Sequence, residues 1–206
     1  MGNWRGNEHA RPASVDDLLL VHAMQEDLAN LAVPVFQTSG NVKEHLFLAF
    51  LDGTGMDKDN PRLGPSSTVA HLHDQLDTIP GRKPERVGIS YSKGIGTQSN
   101  EVLRNIDGAL ALTWDEGIIN AYEKLALQVE DWIIENPNAQ IRFVSVGYSR
   151  GAVQAAGLAR LVDRYGIVSP EDISFGRDER GNISVKSSGG VLVPPGQVPQ
   201  ASLLLD

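Results

Sequence analysis

The sequence predicts an α/β fold, a mostly parallel sheet flanked by helices, and three observations carry that expectation. The run Leu46-Phe47-Leu48-Ala49-Phe50-Leu51 is continuously apolar, which suits a strand buried on both faces. Strand-like and helix-like segments alternate from residue 45 to residue 165, the order of βαβ units. A third apolar strand passes through Gly147-Tyr148-Ser149-Arg150-Gly151 directly into an alanine-rich helix, so strand and helix meet at a very tight turn.

Each element has a local reason. Residues 1 to 13 are polar and rich in turn formers, and predict an irregular tail. Ser14 reads as an N-cap with Asp16 and Asp17 in the first turn, where the helix dipole favours anions. Leu19, Leu20, Ala23, Met24, Leu28 and Leu31 follow at helical spacing until Pro34, an amphipathic pattern expected to serve packing. The first strand ends at Asp52-Gly53-Thr54-Gly55, and residues 68 to 78 read as a helix. Arg86 to Tyr91 predicts a second strand running into Gly94-Ile95-Gly96-Thr97. Thr113-Trp114-Asp115-Glu116 has the form of a capping box. The helix it would open carries Ile118, Ile119, Tyr122, Leu125, Ala126, Val129, Trp132 and Ile133 at helical spacing, and Asn136-Pro137-Asn138 stops it. Ile141 to Val146 is the third strand, and the helix from Ala152 to Tyr165 ends at Gly166. Beyond it, Arg180-Gly181-Asn182 before Ile183-Ser184-Val185 predicts a hairpin and Pro194-Pro195-Gly196 a turn. Ala201 to Leu205 reads as a core strand with Asp206 at its tip. The organisation is therefore a tail and helix over residues 1–44 and a core over residues 45–206.

Composition narrows the functions available. A chain of 206 residues can bury a substantial core. Its formal net charge of −8, with no Lys/Arg-rich block, argues against a nucleic-acid partner. No cysteine is present, so a disulfide framework or thiolate metal site is excluded. The N-terminus lacks the plan of a cleaved secretory signal, and no apolar run reaches the roughly 20 residues that span a bilayer. A cytoplasmic protein, or one exported without a cleaved signal, is expected.

The chemistry centres on Ser149. Gly-x-Ser-x-Gly is a weak pattern alone, but between a buried strand and a helix it is the setting of a nucleophile elbow, with Gly147 and Gly151 allowing close approach. The helix start behind the serine offers free N–H groups to a developing oxyanion. Arg150 supplies one donor, and Gly53 or Thr54 a second from the loop after the first strand, unless that loop is an ordinary glycine turn. Gly94-Ile95-Gly96-Thr97 lacks the further glycine or Gly-Lys-Ser/Thr ending of a nucleotide loop, so a tight turn at the site mouth is expected.

A serine nucleophile needs a histidine base, and in this fold the order is Ser, then Asp or Glu, then His. His9, His22, His45, His71 and His73 all precede Ser149. His71 and His73 point to different faces of one helix, which also disfavours a metal pair. The acid is expected at Asp206, with Asp163, Asp172 and Asp178 as alternatives. The reading is thus an α/β-hydrolase-like core, C-terminally incomplete, whose base lies past residue 206 and whose 206-residue form is inactive. No metal or cofactor is called for.

Phe50-Leu51-Asp52-Gly53-Thr54, Tyr91-Ser92-Lys93-Gly94-Ile95-Gly96-Thr97 and Gly147-Tyr148-Ser149-Arg150-Gly151-Ala152 occur in that order. Together with Ala121-Tyr122 and the strand ending in Asp206 they resemble the DUF2235 family, the catalytic domain of Tle1-like type VI secretion phospholipases, over roughly residues 45 to 206. The resemblance implies a Ser-Asp-His triad with Ser149 as nucleophile and Asp206 as acid. It also implies hydrolysis of phospholipid acyl esters, delivery into rival cells by a contact-dependent machine, and a cognate immunity protein. Met56-Asp57-Lys58-Asp59-Asn60 departs from the family by lengthening the loop where relatives place an Asn soon after the Thr. A soluble-ester esterase or acyltransferase on the same core, and a non-catalytic hydrolase-like binding module, are the competing readings.

Overall fold

The computed structural model describes residues 12–30, 35–38, 40–60, 66–79, 85–94 and 107–205; Asp206 and residues 95–106 lie outside the described residues, as does most of the N-terminal tail. Residues 1–35 form one unit and residues 36–206 another.

In the first unit, α1 spans Val15–Ala29. Its start is capped as expected: Ser14 Oγ accepts from the Asp17 N–H at 3.1 Å, and Asp17 Oδ2 accepts the Ser14 N–H at 2.8 Å.

The second unit is built on a four-stranded parallel sheet. Its strands are β1 (Glu44–Leu51), β2 (Val87–Ser92), β3 (Gln140–Tyr148) and β8 (Gln200–Leu205), in spatial order β2-β1-β3-β8. Between them lie α2 (Thr68–Asp77), α3 (Asp107–Glu135) and α4 (Arg150–Tyr165). The chain steps from β1 to β2 in one direction across the sheet and returns past β1 to β3 in the other. Right-handed crossovers made in opposite directions place their helices on opposite faces, and the packing follows. On one face Phe50 and Val146 bury against Val69 of α2. On the other, Phe47, Ala49, Leu51, Ile141 and Phe143 bury against α3 and α4. That two-sided burial is why β1 reads as a continuous apolar run. The sequence period also shows in α3, where Ile118, Tyr122, Leu125, Val129 and Trp132 are all buried.

Two expectations change. The helix expected to start at a capping box begins at Asp107, so Thr113 sits inside α3. The segment Ala109-Leu110-Ala111-Leu112 consists of strong helix formers, and propagating an existing helix is far easier than starting one. The strand at 200–205 does form, but as an edge of the sheet among the described residues, with Leu203 and Leu204 about half exposed.

Between α4 and β8 the chain makes β4 (Ile167–Val168), β5 (Ser174–Arg177), β6 (Ile183–Lys186) and β7 (Val191–Val193). β5 and β6 form the expected hairpin, and Asp178 ties its turn by accepting the Asn182 and Arg180 N–H groups. Tyr122 locks α3 to the α4–β4 junction: its hydroxyl donates to the Gly166 carbonyl and accepts the Val168 N–H. Burial pushes this phenol up to about 12.

Candidate active site

The reversal of direction between β1 and β3 makes a topological switch point, and the crevice beyond the carboxyl ends of those strands is where such sheets bind ligands. Two turns meet there.

The first follows β3. Ser149 sits between the strand and α4 with φ 52° and ψ −120°, a left-handed conformation that a non-glycine residue adopts at a cost of order 1–3 kcal/mol. Four segments hold it. A side-chain carbon on Gly147 would overlap the backbone of Gly151, and one on Gly151 would overlap the carbonyl oxygens of Leu51 and Asp52. The Ser149 N–H donates to the Leu205 carbonyl of β8 at 2.8 Å, and its own carbonyl accepts from Ala152 N–H at 3.0 Å. Ser149 occupies the N-cap position of α4 yet its hydroxyl makes no capping bond. Ser149 is an exposed residue at the positive end of a 16-residue helix whose first N–H, that of Arg150, has no backbone partner among the described residues.

The second turn follows β1. Gly53-Thr54-Gly55-Met56 is closed by the Met56 N–H on the Gly53 carbonyl at 3.0 Å, with Gly55 at φ 71° in the position where a type II turn needs glycine. It lies directly against the first turn, because a Cβ on Gly53 would stand 2.7 Å from Tyr148 Cδ1. Gly94, at the end of β2, packs backbone to backbone on Gly53 and donates its N–H to the Met56 carbonyl at 2.8 Å. The remainder of the expected Gly94-Ile95-Gly96-Thr97 turn falls outside the described residues.

Asp52 organises this second turn. The residue is 1 % exposed, and its carboxylate accepts three hydrogen bonds: from the Gly53 N–H at 2.8 Å, from Ser67 Oγ at 2.7 Å and from the Tyr91 hydroxyl at 2.7 Å. Ser67 also caps α2 by accepting the Ala70 N–H at 3.0 Å. Burial, reinforced by the bond to Asp52, holds the Tyr91 phenol far above its ordinary value. One consequence bears on the sequence reading. The Gly53 N–H, a candidate oxyanion donor, is already given to Asp52, whereas Thr54 is an exposed residue whose N–H is not used in closing the turn. Sequence reasoning placed Asp52 and Tyr91 inside the resemblance motifs but gave neither of them, nor Ser67, a role; the register that pairs Phe50 with Tyr91 is what brings the acid and the phenol to one edge.

His45 pairs with Ile141, eight residues before Ser149, which is about 26 Å along the strand. His73 is buried between the rings of Phe50 and Tyr91, its Nδ1 3.1 Å from Asp74. Of the alternative acids, Asp178 ties the hairpin and Asp172 lies in an exposed turn before β5. Asp163 is exposed on α4, about 21 Å along the helix from Ser149. No trio of His, Asp or Glu among the described residues is placed to hold a metal ion, and no helix among them is long and apolar enough to cross a membrane.

A family model for the catalytic domain of T6SS Tle1-like phospholipase effectors matches residues 46–177. The chain belongs to that family. The match to the Tle1-like catalytic domain begins in β1 and ends with β5, so it takes in the Asp52 turn, the Ser149 turn and α4. No curated protein matches the chain. Among solved structures, the crystal structure of lysin B from Mycobacteriophage D29 is similar at 24 % identity over 60 % of this chain and 37 % of that one, with a TM-score of 0.26. The chain thus spans little more than a third of that protein, and so loose a likeness carries no argument.

Proposed function

We propose that this Tle1-like protein is a serine lipase that hydrolyses acyl-ester bonds of membrane phospholipids. The observation that carries the reading is the strained, exposed Ser149, held at the switch point beside a helix start whose N–H groups are open. Ser149 Oγ attacks the ester carbonyl carbon and a histidine takes the hydroxyl proton. The oxyanion is met by the Arg150 and Thr54 N–H groups, the alcohol leaves with the proton, and water releases the fatty acid from the acyl-enzyme. Asp206, the residue after Leu205, is proposed as the acid that orients the base, and the histidine as a group supplied from outside the described residues. The family further supports an effector role: made in the cytoplasm, delivered into a competing cell by the secretion machinery without a cleaved signal, and neutralised in its producer by an immunity protein.

One observation favours a second reading. Ser149 Oγ makes no capping hydrogen bond, and no base among the described residues is seen to engage it, as expected of a hydrolase-like binding module without catalysis. Fatty-acid release from phospholipid vesicles by the full-length protein, with Ser149→Ala beside it, separates the two. Release lost with the substitution supports the lipase. Equal release from both proteins removes Ser149 from the mechanism, and no release from either folded protein moves the reading to a soluble ester or to the binding module.

A further inference from the structure

We infer that Asp52, with Tyr91 and Ser67, is a positioning device that sets the Thr54 N–H against the acyl oxyanion. The inference rests on the serine-lipase reading and assigns that reaction residues outside the triad and the oxyanion donors.

Burying a carboxylate on a residue 1 % exposed is costly unless its oxygens are satisfied. Asp52 is satisfied by groups from three separate elements: its own turn, the α2 N-terminus through Ser67, and the end of β2 through Tyr91. The fold could have closed this spot with apolar side chains, as it does one residue earlier at Leu51. An acid here instead fixes a direction. Its Oδ1 captures the Gly53 N–H, which fixes the Asp52–Gly53 peptide plane, and the Met56 N–H on the Gly53 carbonyl fixes the next plane, the one that carries the Thr54 N–H.

Tyr91 extends the control. Its hydroxyl donates to Asp52 Oδ2 and accepts the Lys58 N–H at 3.2 Å, so one oxygen grips both ends of the turn. Lys58 Nζ is held in turn by Asp74 of α2 at 2.8 Å. Lys58 lies in the Met56–Asn60 stretch that follows the turn, so that stretch is pinned as well. On the opposite side Gly53 rests on Tyr148, the neighbour of Ser149. The carboxylate is thereby linked to the nucleophile turn through one glycine. Displacing a reacting geometry by about 1 Å costs on the order of 100-fold in rate, which makes such a brace worth its buried charge.

The test uses the full-length protein and a soluble chromogenic short-chain ester, so that lipid binding does not enter. Tyr91→Phe keeps the ring packing against His73 and removes only the hydroxyl. Asp52→Asn keeps the shape but turns a donor toward Ser67 and Tyr91. Both are expected to lower kcat about 10- to 100-fold with KM within twofold, as for a lost or misplaced oxyanion donor. Tyr91→Phe should still melt cooperatively, which keeps the test valid should Asp52→Asn fail to fold. A kcat within twofold of wild type for Tyr91→Phe overturns the inference, as does a loss confined to KM or one matched by the loss of folded protein. Ser149→Ala, assayed in parallel, separates the failures: activity surviving there sinks the lipase reading itself, whereas activity lost there and kept in Tyr91→Phe sinks only the positioning role.

Discussion

The Ser149 N–H donates to the Leu205 carbonyl across 2.8 Å, tying the strained turn after β3 to the last turn-ward residue of β8. Tyr148 pairs with Leu205 in the parallel register, so this bond continues the ladder one step past the strand. The conformation of Ser149 is thus enforced from β8, from α4 through Ala152, and from β1 through the close fit of Gly151. Strain of this kind persists only where the surroundings over-determine it.

Relief of that strain is measurable. Ser149→Gly should raise the midpoint of denaturant unfolding by an amount equivalent to about 1 kcal/mol, because glycine adopts φ 52° without steric penalty. The gain is smaller than the strain itself, since glycine is also freer in the unfolded chain. The same protein should release no fatty acid. A destabilised Ser149→Gly would show that the turn is relaxed and that the argument from strain is wrong.

The two glycines of the helix and hairpin should respond oppositely to alanine. Gly151→Ala forces a carbon into the backbone of Leu51 and Asp52, which cannot move aside without parting α4 from the sheet. Its cost should exceed about 3 kcal/mol, in the range of severe overpacking. Gly176→Ala meets nothing closer than Ser184 Oγ at 3.4 Å and should fold normally. Thermal melts of the pair decide it; similar melting temperatures would refute the close-packed elbow.

Acid should reveal a third feature, at the far end of the sheet. The Thr38 N–H and then Arg142 hold the Glu44 carboxyl below the usual carboxylate range. A depressed folded-state pKa contributes stability that is complete above the unfolded value of about 4.3 and is lost as pH falls through the folded value. Glu44→Gln should therefore be less stable than wild type at pH 7, and the gap should shrink below about pH 4. Denaturant midpoints across that range check it, and a gap undiminished at pH 3 would count against the assignment to Glu44.

The sequence by itself determined the elements whose signals lie within one segment. Continuous hydrophobicity marked β1 because that strand is covered on both faces, and the Gly147-to-Gly151 spacing marked the elbow because its sterics involve five consecutive residues. The family resemblance rested on the same short motifs, and the match over residues 46–177 agrees with it. Where a local signal competed with its neighbours it misled: the capping box at Thr113 lost to the helix formers before it.

Only the tertiary structure decided which strands are neighbours, that β8 lies at an edge, and what Asp52 does. Its carboxylate meets Ser67 across 15 residues and Tyr91 across 39, and no periodicity spans such separations. Those contacts exist because the right-handed crossover from β1 through α2 to β2 brings β1, β2 and the α2 N-terminus to one edge. That convergence also claims the Gly53 N–H, which in the sequence looks as available as that of Thr54. A local motif can say which residue is strained; which donors remain open beside it is decided by everything packed around it.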